Sequence, residues 1–142
     1  MDKPIGLRIN EVGKLFKKKV KEISIKKGLN STFFDVIHYL DRSGNKGATQ
    51  SELCEFLRLK APTISITIQN MEALGYLKKE KDSLDSRKVA IYMTKQGLEL
   101  AKEVKSIFME VETMLNDALS EEELKYFNNI ILKLKNTLEV EK

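Results

Sequence analysis

The stretch TQSELCEFLRLKAPTISITIQNMEALGYLKKEKDSLDSRKVAIYM, from Thr49 to Met93, decides the fold. Thr-Gln-Ser-Glu at 49–52 has the pattern of a capping box, in which a threonine hydroxyl takes a free backbone N–H and Glu52 reaches back. It opens a short helix to about residue 57, with Leu53, Cys54 and Leu57 inward. Pro62 suits the first turn of a second helix, where its missing N–H costs nothing. That helix runs from Ala61 to Ala73 with Ile64, Ile68 and Met71 on one face, and Gly75 lies just past its end. From Tyr76 the pattern turns extended. Val89 to Met93 is a β-favouring run, and the charged segment 78–88 between them reads as the tip of a hairpin. Helix, turn, helix and hairpin, in that order, make a helix-turn-helix with a wing, whose second helix enters a DNA major groove.

Outward from this stretch the chain is helical. Residues 8–27 place Val12, Leu15, Phe16, Val20 and Ile23 at helical spacing, and Gly28 offers a C-terminal stop. Asn30 or Ser31 caps a helix to about Arg42 whose apolar face is Phe33, Val36, Ile37 and Leu40. Thr94 caps a long helix to about Ala118, striped by Leu98, Ala101, Val104, Phe108, Val111 and Leu115. Ser120 and Glu123 form a second capping box. The last helix then carries Leu124, Phe127, Ile131, Leu134 and Leu138 at alternating three- and four-residue steps, a heptad seam. The expected fold is mainly α: a winged helix-turn-helix with a small β-hairpin wing and N- and C-terminal dimerisation helices. Residues 1–30 form an N-terminal helix contributing to the dimer interface, 31–94 the DNA-binding lobe and 95–142 the C-terminal dimerisation region.

The pieces also match a family in register. Thr49 to Leu57, then Ala-Pro-Thr-Ile-Ser at 61–65, Leu-Gly-Tyr-Leu at 74–77, Asp-Ser-Leu-Asp-Ser-Arg-Lys at 82–88 and Tyr-Met-Thr-Lys-Gln-Gly at 92–97 resemble the MarR family of winged helix-turn-helix transcriptional regulators. The family wing usually reads Asp-x-Arg-Asp-x-Arg. Asp82, Asp85 and Arg87 keep it, while Leu84 stands at the first arginine. Lys60 replaces the serine that often caps the recognition helix, and Ile66 an arginine often found on it. The resemblance implies a homodimer, double-stranded DNA as partner and a small, commonly aromatic effector bound between the dimer helices and the DNA-binding lobe. Phe16, Phe34, His38 and Phe108 are the effector candidates by residue type.

With Ile64, Ile68 and Met71 inward, the outward set on the recognition helix is Lys60, Ala61, Pro62, Thr63, Ser65, Ile66, Thr67, Gln69 and Asn70. Gln and Asn pair with adenine, and Ala, Ile and the Thr methyl touch the thymine methyl. No Arg or Lys lies inside the helix to read guanine, so the set points to an A·T-rich operator, which a two-fold dimer would make pseudo-palindromic. Arg87 and Lys88 are the wing's candidates. For Arg87 two roles stand together: insertion into a narrow minor groove, or a salt bridge to Asp85 or Asp82 that stiffens the wing. Lys78, Lys79 and Lys81 add salt-sensitive phosphate attraction.

Composition agrees and excludes. Lys and Arg number 25 against 21 Asp and Glu, giving a formal net charge of +4. The basic excess gathers in residues 1–29, and the acids gather in 110–142. The run Lys17-Lys18-Lys19 points three ways around a helix and makes no single patch. One cysteine, Cys54, rules out an internal disulfide. With His38 the only histidine, a zinc site built on Cys and His lacks ligands. No cofactor is indicated. Nothing resembles a phosphate loop, a zinc-binding His-Glu pair or a nucleophile elbow, so no catalytic residue is assigned. No apolar run is long enough to span a bilayer and no secretory signal is evident, which points to the cytoplasm. The competing reading is a helical protein-interaction module, carried by the seam at 124–138 and lacking specific DNA binding.

Overall fold

A computed structural model describes residues 3–140; residues 1–2 and 141–142, the ends of the outer two expected regions, lie outside the described residues. The elements are α1 (Ile5–Lys26), α2 (Ser31–Arg42), α3 (Gln50–Leu57), α4 (Ala61–Ala73), β1 (Leu77–Lys81), β2 (Val89–Met93), α5 (Lys95–Ala118) and α6 (Glu121–Glu139). The chain divides into two compact units, one to Phe108 and one from Met109.

Local chemistry accounts for the element ends. Asn30 caps α2, its side-chain oxygen accepting from the N–H groups of Thr32 and Phe33 at 2.9 and 3.1 Å. Thr49 caps α3 by accepting from Glu52 N–H at 3.1 Å, one arm of the expected box. At α6 both arms form: Glu123 N–H donates to the Ser120 hydroxyl, and Ser120 N–H donates to the Glu123 carboxylate. That carboxylate is held below its usual pKa chiefly by the Ser120 N–H and then by the hydroxyl. Recognition helix α4 stops at Gly75, whose φ of +87° lets Tyr76 N–H turn back to Met71 carbonyl at 2.9 Å.

The first unit is built around Val36, Ile37 and Leu40 of α2, Leu53 of α3 and Ile64, Ile68 and Met71 of α4, all fully buried. Leu77, Ile91 and Met93 close this core from the hairpin. β1 and β2 pair antiparallel with Leu77 opposite Met93 and Lys81 opposite Val89. Ala48 adds a bridge to Ile91, a rung on the other side of β2. Val20 of α1, Phe34 of α2 and Ala101, Val104 and Ile107 of α5 are buried as well.

The single chain covers only part of each apolar stripe. On α1 Val20 is buried, but Val12 and Leu15 are 59% and 64% exposed. Leu98 and Leu115 of α5 are exposed, whereas Ile107, absent from the expected stripe, is fully buried. On α6 no residue is buried. Periodicity identifies an apolar face without identifying what covers it. Cys54 is half-buried, beside the fully buried Leu53. Among the described residues no helix is long and apolar enough to cross a membrane.

Two glycines separate close packing from open space. A Cβ on Gly97, in the first turn of α5, would stand 2.2 Å from the Tyr76 carbonyl oxygen, which is fixed backbone. A Cβ on Gly13 of α1 would meet nothing within 4 Å. Gly97→Ala should therefore lower the urea midpoint by an amount matching about 1–3 kcal/mol, the usual cost of overpacking. Gly13→Ala should raise it by about 0.5–1 kcal/mol through helix propensity. Equal effects of the two changes on the unfolding curves would contradict this packing.

Candidate nucleic-acid interface

α4 presents one face to the core and the other to solvent, and its hydrophobic spacing decides which is which. Lys60, Ala61, Pro62, Thr63, Ile66, Gln69 and Asn70 are exposed and Ser65 is half-buried. Lys60 sits at the N-cap with no side-chain capping bond, and Pro62 lies in the first turn. Thr67 departs from the expected outward set: it is only 7% exposed. Counted from Ile64, positions 67, 68 and 71 are i+3, i+4 and i+7, so Thr67 belongs to the buried stripe. Its hydroxyl donates to the Thr63 carbonyl at 2.8 Å, which lets a polar side chain face the core without a lost hydrogen bond.

The wing tip is organised by two aspartates. Asp82 accepts from the N–H groups of Leu84 and Asp85 at 2.8 and 3.3 Å, folding the turn. Asp85 accepts from Arg87 three times: from its backbone N–H at 3.0 Å, from Nε at 3.0 Å and from a terminal nitrogen at 3.3 Å. The guanidinium hydrogen bonds, then the backbone one, hold the Asp85 carboxyl below its usual pKa. Of the two acids considered for Arg87, the partner is Asp85. The pairing does not consume the arginine, whose side chain is 89% exposed. Two of its five N–H donors are engaged, leaving the rest for an acceptor outside the protein. Lys81 and Lys88 are exposed on the same hairpin, and Leu84 stands at its tip. Lys79 pairs with Glu72 of α4 at 3.2 Å and Lys78 with Glu80 at 3.3 Å. The Lys79–Glu72 pair ties wing to recognition helix, a link that sequence spacing did not reveal.

The four aromatic candidates come together from three helices of the first unit. Phe108 is the hub. Its ring centroid lies 4.3 Å from His38, 5.6 Å from Phe34 and 6.2 Å from Phe16. Lys21 Nζ lies 5.5 Å from the Phe34 centroid and is anchored by Asp35 at 2.6 Å and the Ser31 hydroxyl at 2.8 Å. A cleft of about 190 Å³ opens beside Phe34, walled by Phe33, Leu74, Tyr76, Leu100 and Val104. Phe33, Leu74 and Tyr76 had no place among the candidates, because membership depends on how α2, the end of α4 and α5 meet.

This arrangement defines a class of protein: a winged helix-turn-helix whose second helix and wing tip expose groups that can contact DNA. Residues 27–88, from the start of α2 to the tip of the hairpin and short of β2, match the family model described as MarR family. Over that segment the chain is similar to the MarR family, and its helix-turn-helix and hairpin have the family's order. It is 26% identical over 123 residues to the HTH-type transcriptional regulator YwoH of Bacillus subtilis, covering 87% of this chain and 88% of that one. Its fold is similar to that of MepR, a transcription regulator of the Staphylococcus aureus multidrug efflux pump MepA. That likeness has a TM-score of 0.76 and 23% identity, and covers 96% of this chain and 100% of that one. It is also similar to apo MarR of E. coli, with a TM-score of 0.78 and 16% identity over 94% and 98% of the two chains. A S. aureus MepR mutant bound to an oligodeoxyribonucleotide matches with a TM-score of 0.63 and 24% identity, over 97% and 100%.

His38 tests the aromatic cluster directly. Burial lowers its pKa below 6.5, and Arg42 lowers it further, against the opposite pull of Asp35 and Asp41. The folded state therefore favours the neutral ring, and unfolding takes up a proton between the depressed folded value and 6.5. His38's contribution to stability is complete above 6.5 and is lost as pH falls through 6.5 toward the folded value. NMR titration should place the ring below its ordinary pKa, and His38→Phe should flatten the pH dependence of the urea midpoint in this window. A ring that titrates at or above 6.5 would contradict the burial described.

Proposed function

We propose that the chain is a homodimeric repressor that reads a pseudo-palindromic, A·T-rich operator and is released by a small aromatic effector. The observation that carries the reading is one exposed α4 face, with Gln69, Asn70, Thr63 and Ile66, next to a wing that holds Arg87 out of the protein while orienting it. Gln69 and Asn70 suit adenine edges, and Ile66 and the Thr63 methyl suit thymine methyls. Ser65, Pro62 and Lys60 complete the contact at the helix N-terminus; Lys88 joins Arg87 on the wing. Blocking a promoter needs only occupancy, which favours repression over activation.

A single lobe reads few base pairs, and two lobes on a two-fold axis read two half-sites. The apolar side chains that α1 leaves exposed (Ile5, Ile9, Val12, Leu15) and those of α6 (Phe127, Ile130, Leu138) support a homodimer. In this reading residues 1–30 and 95–142 carry the interface and 31–94 the DNA-reading lobe, with the protein acting in the cytoplasm. The effector binds at Phe16, Phe34, His38 and Phe108, where the aromatic rings and the adjoining cleft supply flat apolar walls.

Selection of duplexes from a random pool, followed by binding at several salt concentrations, tests the reading. The expected product is a palindrome rich in A·T with half-sites about 10 bp apart or a small multiple of that. Asn70→Ala should cost about 1–3 kcal/mol on that duplex and relax one base position, whereas Lys88→Ala should weaken all duplexes alike and flatten the salt dependence. Half-sites centred on G·C would sink the adenine-reading face. Salt-independent affinity for a protein, with none for duplex DNA, would replace the regulator by a helical interaction module.

A further inference from the structure

Strand β2 has no open edge along its second half. In an antiparallel strand, alternate residues point both N–H and C=O to the same side. Ile91 and Met93 point theirs away from β1. Ile91 exchanges both bonds with the Ala48 backbone, at 2.8 and 3.0 Å. Met93 offers the same pair two residues on, and a side chain meets it. Met93 N–H donates to Asn45 Oδ1 at 2.8 Å, and Asn45 Nδ2 donates to the Met93 carbonyl at 3.2 Å. The carboxamide stands in for a peptide group and extends the rung begun by Ala48.

The Asn45 backbone is engaged elsewhere. Its N–H donates to the Leu40 carbonyl at 2.8 Å, closing the end of α2, and its φ is +54°. The position therefore sets three conditions: a left-handed backbone, one side-chain donor and one side-chain acceptor on a short stem. Glycine meets only the first. Aspartate tolerates the backbone and keeps an acceptor but has no donor when ionised. Glutamine has both groups on a longer stem and tolerates the left-handed region less. Asparagine alone meets all three.

The clamp sits at the root of the wing. A two-stranded hairpin is marginal by itself, so its direction is set by what holds its base. From Met93 to Val89, where the tip begins, the strand runs about 14 Å at some 3.4 Å per residue. A small rotation at the root therefore becomes a displacement of ångströms at Arg87 and Lys88.

We propose that Asn45 is the positioning residue of the wing: from the end of α2 it fixes where Arg87 and Lys88 meet DNA. The proposal rests on the wing being a DNA contact, and its test separates the two. The probe is a duplex selected from a random pool by the full-length protein. The variants are Asn45→Gly, Asn45→Asp, Arg87→Ala and the Asn45→Gly/Arg87→Ala double, with folding followed by urea titration. Asn45→Gly keeps the backbone and should weaken binding about tenfold, matching Arg87→Ala, with no further loss in the double variant. Asn45→Asp, which retains the acceptor for Met93 N–H, should fall between. Amide exchange at Met93 should quicken in Asn45→Gly. If Asn45→Gly weakens binding while Arg87→Ala does not, the proposal is overturned, because the loss then does not pass through Arg87. If only Arg87→Ala weakens binding, or if the two losses simply add, the proposal is overturned and Asn45 only stabilises the lobe. If neither matters, both the proposal and the wing contact fall.

Discussion

Strand β2 is hydrogen-bonded on both sides, and the DNA-reading lobe depends on that saturation. On one side β1 supplies the partner; on the other the segment from Asn45 to Ala48 supplies it. The same few residues end α2 through Asn45 N–H and, one residue past Ala48, start α3 through the Thr49 cap. A single short connection thus terminates a core helix, adds a rung to the sheet and opens the helix-turn-helix. Ile91 and Met93, buried against α2 and α3, complete the arrangement. Recognition helix and wing share one mount, which is what two-part groove recognition requires, since both must arrive in register.

Charge on the wing follows from the same economy of contacts. Arg87, Lys78 and Lys79 each face a carboxylate of the protein, yet all three pairs lie at least partly in solvent. Exposed ion pairs contribute little to stability, because water and salt screen them and long side chains lose entropy in forming them. Such a pair orients a cation and leaves it ready to exchange one anion for another. Asp85 illustrates the point: it accepts from Nε and a terminal nitrogen of Arg87 and so directs the guanidinium, while most of that side chain stays in solvent.

Much of this lobe was legible in the sequence, and the gaps have physical causes. The bounds of α4, the hairpin and the caps at Thr49, Thr94 and Ser120 follow from local rules, and the structure has them. For Thr67 residue type and spacing conflict, and spacing prevails, because a hydroxyl satisfied within its own helix is free to turn inward. The Asn45–Met93 clamp joins residues 48 apart, and no local pattern encodes it. The asparagine in a Ser-Gly-Asn turn signals a left-handed backbone, but its partner is supplied by the fold. Residue type marks Phe16, Phe34, His38 and Phe108, but their meeting depends on how α1, α2 and α5 pack.

The helix α6 raises a question of energetics that its own unit does not answer. Its capping box and acidic first turn favour the helix, each by an amount on the order of 1 kcal/mol or less. Against this stands the cost of nucleation, in which the first turn fixes three residues for one hydrogen bond. Most helices in folded proteins recover that cost by burying an amphipathic face, yet α6 buries no residue and leaves Phe127, Ile130 and Leu138 in solvent. Ile9, Val12 and Leu15 of α1 repeat the pattern. In the proposed homodimer a second copy covers both of these apolar faces. Folding of these ends and association then become one equilibrium, and the stability of the chain depends on its concentration. On the proposed reading of two half-sites, the species able to bind the operator is also the species in which the terminal helices are stable.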